Sequence, residues 1–253
     1  MSCSTVMFSL FLMSPCGQSG GDEISEAVAT AVANPQRPAE DSEKDAARKP
    51  DQVLSFFNIK AGMTVLDLFS GGGYYTEMLN SVVGKDGKVI AHTNEAYIPF
   101  SGEIYKKRYV NGRLKQTETI IAEADDLNLE ENSLDAAMLV LTWHDFLYAD
   151  EKGGWHAINE ALLIDKLCTA MKPGAVLGLI DHAANSGGEP EQVAKDLHRI
   201  DPQVVRDTFA KSCFSLEAEA EFLRNSNDDH TLAVFDKSIR GKTDRFVFKF
   251  IRK

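Results

Sequence analysis

The stretch Thr64-Val-Leu-Asp-Leu-Phe69, followed by Ser70-Gly-Gly-Gly73 and Tyr74-Tyr-Thr-Glu-Met-Leu79, joins a buried strand to a helix through three consecutive glycines. The apolar run has the length of a strand, and the glycines stop it. Glycines at a strand's end let the backbone approach a ligand closely, and the helix that follows offers unpaired N–H groups. Taken alone, such a turn fits a dinucleotide, a nucleoside cofactor or no ligand at all.

Working outward, residues 37–57 have helix-forming composition and end in Val53-Leu54-x-x-Phe57, before a turn at Lys60-Ala-Gly-Met63. Gly84-Lys-Asp-Gly87 turns into a second strand, Lys88-Val-Ile-Ala-His92, and Thr119-Ile-Ile-Ala122 makes a third. The fourth, Leu134-Asp-Ala-Ala-Met-Leu-Val-Leu-Thr142, is bounded by Trp143-His144-Asp145. A helix over about 155–171 stops at Lys172-Pro-Gly174, and the fifth strand, Ala175-Val-Leu-Gly-Leu-Ile180, ends in Asp181-His182. Residues 190–211 read as helical, and Phe214-Ser-Leu-Glu-Ala-Glu with Asp244-Arg-Phe-Val-Phe-Lys-Phe-Ile251 as a terminal antiparallel pair. Strands alternating with helices imply an α/β domain whose mainly parallel sheet is covered on both faces. Such sheets bind ligands at the carboxyl ends of their strands.

The chain has 253 residues, 43% hydrophobic, which suffices for a core without disulfide or metal staples. Acidic residues number 38 against 27 basic, a net charge of −11 without any basic block, so a nucleic-acid partner is not expected. Residues 1–20 read as a signal- or lipoprotein-like segment. Val6-Met-Phe-Ser-Leu-Phe-Leu-Met13 is too short to span a bilayer, and Cys16-Gly-Gln-Ser-Gly-Gly resembles a lipid-attachment site that would tether the protein to a membrane. The expectation is an exported, periplasmic or membrane-anchored protein, with a cytoplasmic one as the alternative. Residues 21–36 read as a flexible linker and 37–253 as one domain. Cys3, Cys16, Cys168 and Cys213 lack metal-ligand spacing, and the last two read as buried thiols.

The pattern Asp67-x-x-x-Gly71-x-Gly73, this order of strands, the Lys-Pro-Gly turn before the fifth strand and the closing antiparallel pair together resemble the class I S-adenosylmethionine (SAM)-dependent methyltransferases. Five further stretches resemble a bacterial group of methyltransferases that often carry a signal peptide. They are Ala46-Ala-Arg-Lys-Pro50, Gly72-Gly-Tyr-Tyr-Thr76, His144-Asp145, Leu197-His-Arg-Ile-Asp201 and Gly241-Lys-Thr-Asp-Arg-Phe246. The resemblance covers about residues 50–253 and implies a Rossmann-like sheet with SAM as cofactor. It implies that Asp67 helps hold the methionine end of SAM, above Ser70, Gly71, Gly72 and Gly73. Phe69 stands where the family usually has another glycine. Tyr74 and Tyr75 open the helix, one covering the cofactor and the other packing. At the end of the second strand, where a ribose-binding acid is usual, Thr93 stands in register, with Asn94 or Glu95 as substitutes. Glu123, Ala124 and Asp125 stand where the family recognises adenine, or form a solvated turn.

Methyl transfer from a sulfonium is an in-line displacement, so a base is needed only for a protonated acceptor. His144 and Asp145 leave the fourth strand where the methyl group is expected, His144 as base and Asp145 as the acid that orients it; the alternative is a capping Asp beside a packed His. Asp181 and His182 end the adjacent strand as a second acid–imidazole pair. Some family members hold a divalent cation with carboxylates at these two strand ends, where Asp145 and Asp181 stand, but no metal site is assigned. His198 and Arg199 fall in the region that usually contacts substrate; Arg199 binds an acidic acceptor or pairs with Asp201 at a helix end. Tyr148 and Trp143 line the acceptor pocket or belong to the core.

The leading expectation is a SAM-dependent methyltransferase acting on a small molecule. The alternative is an exported, non-catalytic binding protein on the same fold, favoured by Phe69, by Thr93 and by the lack of an evident SAM supply outside the cytoplasm. A nicotinamide-dependent oxidoreductase ranks third, because Gly-x-Gly-x-x-Gly and an acid closing the second strand are both missing.

Overall fold

The computed structural model describes residues 25–110 and 112–253. Seven strands, β1 (Thr64–Leu68), β2 (Lys88–Thr93), β3 (Thr117–Ile121), β4 (Leu134–Val140), β5 (Met171–His182), β6 (Phe214–Ala220) and β7 (Arg245–Arg252), form one sheet in the order 3-2-1-4-5-7-6. The first five are parallel, and β7 runs antiparallel to both β5 and β6. This is the mainly parallel sheet with a C-terminal antiparallel pair that the sequence predicts. Strand order reverses between β1 and β4, so their carboxyl ends flank the crevice where such sheets take ligands.

Period-2 alternation in β1 explains the two core layers. Leu66 and Leu68 join a cluster with Leu139, Trp143, Leu167, Phe209 and Phe250, while Val65 faces Val53, Phe57, Met78 and Leu79 on the opposite side. The helices are α1 (Glu26–Val32), α2 (Ala39–Ser42), α3 (Asp45–Arg48), α4 (Pro50–Phe56), α5 (Tyr74–Val83), α6 (Ile98–Tyr105), α7 (Glu160–Ala170), α8 (Pro190–Leu197) and α9 (Pro202–Ala210). Among the described residues, no helix is long and apolar enough to cross a membrane.

Four features differ from the sequence reading. Part of the expected linker is α1, capped by Ser25, with Val28 and Ala31 buried against α4 and α5. The expected helix over 190–211 is broken, because His198 takes a left-handed conformation (φ 52°) and Asp201 caps a new helix at Pro202. Residues 97–110, unassigned in the sequence, form α6, kinked at Gly102, and a wide turn over Lys106–Val110. Cys168 on α7 and Cys213 before β6 are a disulfide rather than two thiols. Their Cα atoms lie 6.0 Å apart, within bridging range. Cys3, Cys16 and the signal-like segment lie outside the described residues.

Candidate functional site

The glycine turn leaves β1 through strained backbone. Phe69 sits at φ 52°, a left-handed conformation that costs a non-glycine residue about 1–2 kcal/mol and that glycine adopts freely. Its ring offsets the strain by packing against His92, Tyr97, Phe146 and Trp155. Gly73 (φ 77°) then begins α5. Among the described residues, the N–H groups of Gly71 and Gly72 donate to nothing. Asp67 is buried beneath the turn and accepts from Thr76 Oγ1 at 2.5 Å. Burial raises its carboxyl to about 6, against the opposing effect of the Thr76 hydrogen bonds.

The turn is covered by the segment after β2. The Tyr109 hydroxyl lies 3.0 Å from Ser70 Oγ and 2.8 Å from Thr76 Oγ1. A Cβ at Gly73 would clash with that hydroxyl, and one at Gly71 would meet the Tyr97 ring at 3.1 Å. Arg108 closes the back of the turn by donating to the Gly72 carbonyl while pairing with Asp41 and Glu77. Tyr97 and Tyr109 were not legible as site residues, because Pro99 and Gly102 interrupt any helical period around them.

The loops after β1, β2 and β3 are tied together by His92. Its Nδ1 accepts from Phe69 N–H (3.3 Å) and its Nε2 faces the Ala122 carbonyl (3.0 Å). Burial lowers this imidazole to about 4, keeping it neutral. Asn94, expected at the ribose, is buried, donates to Glu123 Oε2 (3.0 Å) and accepts from Tyr97 N–H (2.9 Å), so it couples two loops. Glu95 is exposed and Ala124 is buried. Asp125 accepts from Asn159 N–H at 2.8 Å, anchoring the start of α7. Tyr74 does not cover the turn: its hydroxyl donates to Asp45 (2.6 Å), and its ring lies under the Arg48 guanidinium.

The acceptor-side residues converge, but not in the expected pairs. The turn Trp143–Leu147 carries His144 and Asp145 off the end of β4. His144 Nδ1 lies 2.7 Å from Asp181 Oδ1, its backbone N–H donates to Asp181 Oδ2, and its Nε2 lies 3.2 Å from Asp145. Asp181 thus orients His144, whereas His182 turns its Nδ1 to Thr243 Oγ1 at 2.7 Å. Burial opposes charge on His144, yet Asp181 and Asp145 raise it to about 10. The two carboxylates favour its charged form, and each ring nitrogen faces one of them.

His198 joins the same cluster. A bridge between Ala183 and Ile200 lays the α8–α9 turn along the end of β5, bringing His198 Nδ1 to 3.3 Å from Asp145 Oδ1. The His198 ring stands edge-on to His144 and Tyr148, and the Tyr148 hydroxyl is 3.5 Å from Asp145. Arg199, expected to touch substrate, is fully buried instead. It donates to the carbonyls of Ala183 and Leu232 and pairs with Asp228, not Asp201.

A family model described as protein-L-isoaspartate (D-aspartate) O-methyltransferase matches residues 34–115, the part carrying the glycine turn. No curated protein sequence matches the chain. A SAM-dependent methyltransferase from Aquifex aeolicus superposes over 86% of this chain and 99% of its own at TM-score 0.58 and 20% identity. The chain has the class I methyltransferase fold. The geranyl diphosphate C-methyltransferase of Streptomyces coelicolor, solved with Mg2+, geranyl diphosphate and S-adenosyl-L-homocysteine, gives TM-score 0.59 at 12% identity, covering 91% and 89% of the two chains. A SAM-dependent methyltransferase from Mesorhizobium loti gives 0.55 at 14%, covering 83% and 100%.

Proposed function

We propose that this protein is a SAM-dependent methyltransferase acting on a small molecule. The observation that carries the reading is the glycine turn at the sheet's switch point, beside an acid–imidazole cluster at the ends of β4 and β5. The donor set fits SAM: Gly71 and Gly72 N–H groups unpaired among the described residues, and a buried Asp67 carboxylate beside Ser70. When bound, SAM supplies an electrophilic methyl group on a sulfonium. Asp67 and the turn hold the methionine end, while Glu95, Glu123, Ala124 and Asp125 line the nucleoside side with Asn94 bracing their loops. Tyr97 and Tyr109 now lie over the turn, so this segment shifts to admit the cofactor. The cluster of His144, Asp145 and His198, backed by Asp181 and flanked by Tyr148 and His182, orients the acceptor heteroatom.

A small acceptor suits the acidic chain, and neighbours of this fold include an enzyme named for geranyl diphosphate. Export to an oxidising compartment is part of the proposal, and the Cys168–Cys213 disulfide supports it. The non-catalytic binding protein is the second reading, favoured by the tyrosines that fill the space above the turn. The two diverge in turnover. Incubating the full chain with SAM and a panel of hydroxyl, thiol and amine acceptors should yield S-adenosylhomocysteine with at least one of them. SAM that binds and is never converted by any would favour the second reading.

A further inference from the structure

We propose that His144, Asp145 and His198 form a binding site for a divalent transition-metal ion of the zinc type, with Asp181 as its outer support. Each of His144, Asp145 and His198 offers a ligand atom within 4.8 Å of the other two. Two of the edges are 3.2 Å (His144 to Asp145) and 3.3 Å (Asp145 to His198). Zinc bonds of about 2.0–2.1 Å in a tetrahedron place neighbouring ligand atoms about 3.3–3.4 Å apart, so these side chains need little movement to close on an ion.

The support behind the ligands points the same way. Metal-bound histidine usually gives its other ring nitrogen to a carboxylate, which fixes the tautomer and raises the ring's basicity. Asp181, completely buried, does this at 2.7 Å from His144 Nδ1 while also accepting the backbone N–H of residue 144. Asp181 is therefore a support, not a ligand, which separates this site from one built of the two strand-end carboxylates. Two imidazoles with one carboxylate favour zinc-like ions over Mg2+, whose shell is built from oxygen. Three protein ligands leave a fourth position for water or the acceptor heteroatom, as in catalytic rather than structural zinc sites. The cluster opens to solvent at His198 and Asp145, whose side chains are 23% and 11% exposed.

An ion here takes the place of the proton on His144 Nε2, offsets the charge of Asp145 and would bind a hydroxyl or thiol acceptor as its anion. The acceptor proton leaves to solvent. The heteroatom lone pair then forms a bond to the methyl carbon as the carbon–sulfonium bond breaks, its electron pair remaining on the neutral thioether. This last step rests on the methyltransferase reading, whereas the metal site does not.

The test is titration of the untagged, metal-stripped full chain with Zn2+ alone against a chelating dye, without SAM. One tightly held Zn2+ per chain is expected, insensitive to excess Mg2+. His198→Asn, a residue that tolerates the left-handed backbone at this position, should weaken binding by at least about tenfold, and Asp181→Asn by about 10–100-fold. Thermal melts confirm that each variant is folded; should His198→Asn fail, Asp145→Asn reads the same ligand set. Absence of stoichiometric binding by the folded chain, or binding untouched by the ligand variants, overturns the site.

Discussion

Asp67 shows how a single residue sets function against stability. Burial holds its carboxyl near 6, above the usual carboxylate value of 3.8, so ionising it in the folded protein is costly. A raised carboxyl contributes most below its unfolded value, and that contribution is lost as pH rises through the folded value near 6. Asp67→Asn keeps an acceptor for Thr76 and removes this cost, about 1–3 kcal/mol by the size of the shift. The variant should therefore melt higher than wild type at pH 8, with the difference shrinking toward pH 4, while binding SAM more weakly. Equal melting at pH 8 would show that the carboxylate is compensated in place. Local chemistry of this kind was readable: a glycine turn and two strand-end acid–histidine pairs are contiguous in the sequence. The pairing was not, since Asp181 reaches His144 across 37 positions and Arg199 finds Asp228 rather than nearby Asp201.

At the scale of elements, the segment from α6 to Val110 governs access to the turn. Tyr109 bridges Ser70 and Thr76, so a ligand over Gly73 has to displace it, and the apparent affinity is reduced by the fraction of chains already open. Tyr109→Ala removes that competition and should tighten SAM binding, by roughly tenfold if displacement costs about 1.4 kcal/mol. Weaker binding in calorimetry would instead make Tyr109 part of the bound site. The five parallel strands and the closing pair were legible because buried strands leave apolar runs that glycine and proline punctuate. The segment over the turn was not, because Pro99 and Gly102 break its period and the partners that hold it, Asp41, Glu77 and Ser70, are distant in sequence. Helix α1 was missed for a related reason: only Val28 and Ala31 are buried in it, too few for a visible stripe.

Over the whole molecule, the disulfide staples the closing antiparallel pair to the parallel part of the fold. It spans 45 residues, and apolar context at both cysteines conceals it in the sequence. Cys168→Ser with Cys213→Ser should cost about 2–4 kcal/mol by relaxing the unfolded chain, read as a lower denaturation midpoint. An unchanged midpoint would mean that the bridge carries no stability. The central claim is that the glycine turn at the switch point holds SAM, and calorimetric titration of the full chain with S-adenosylhomocysteine tests it most directly. The prediction is saturable binding of one ligand per chain with a dissociation constant on the order of micromolar, about −8 kcal/mol. A folded sample that releases no binding heat, and whose melting temperature S-adenosylhomocysteine does not move, would contradict it.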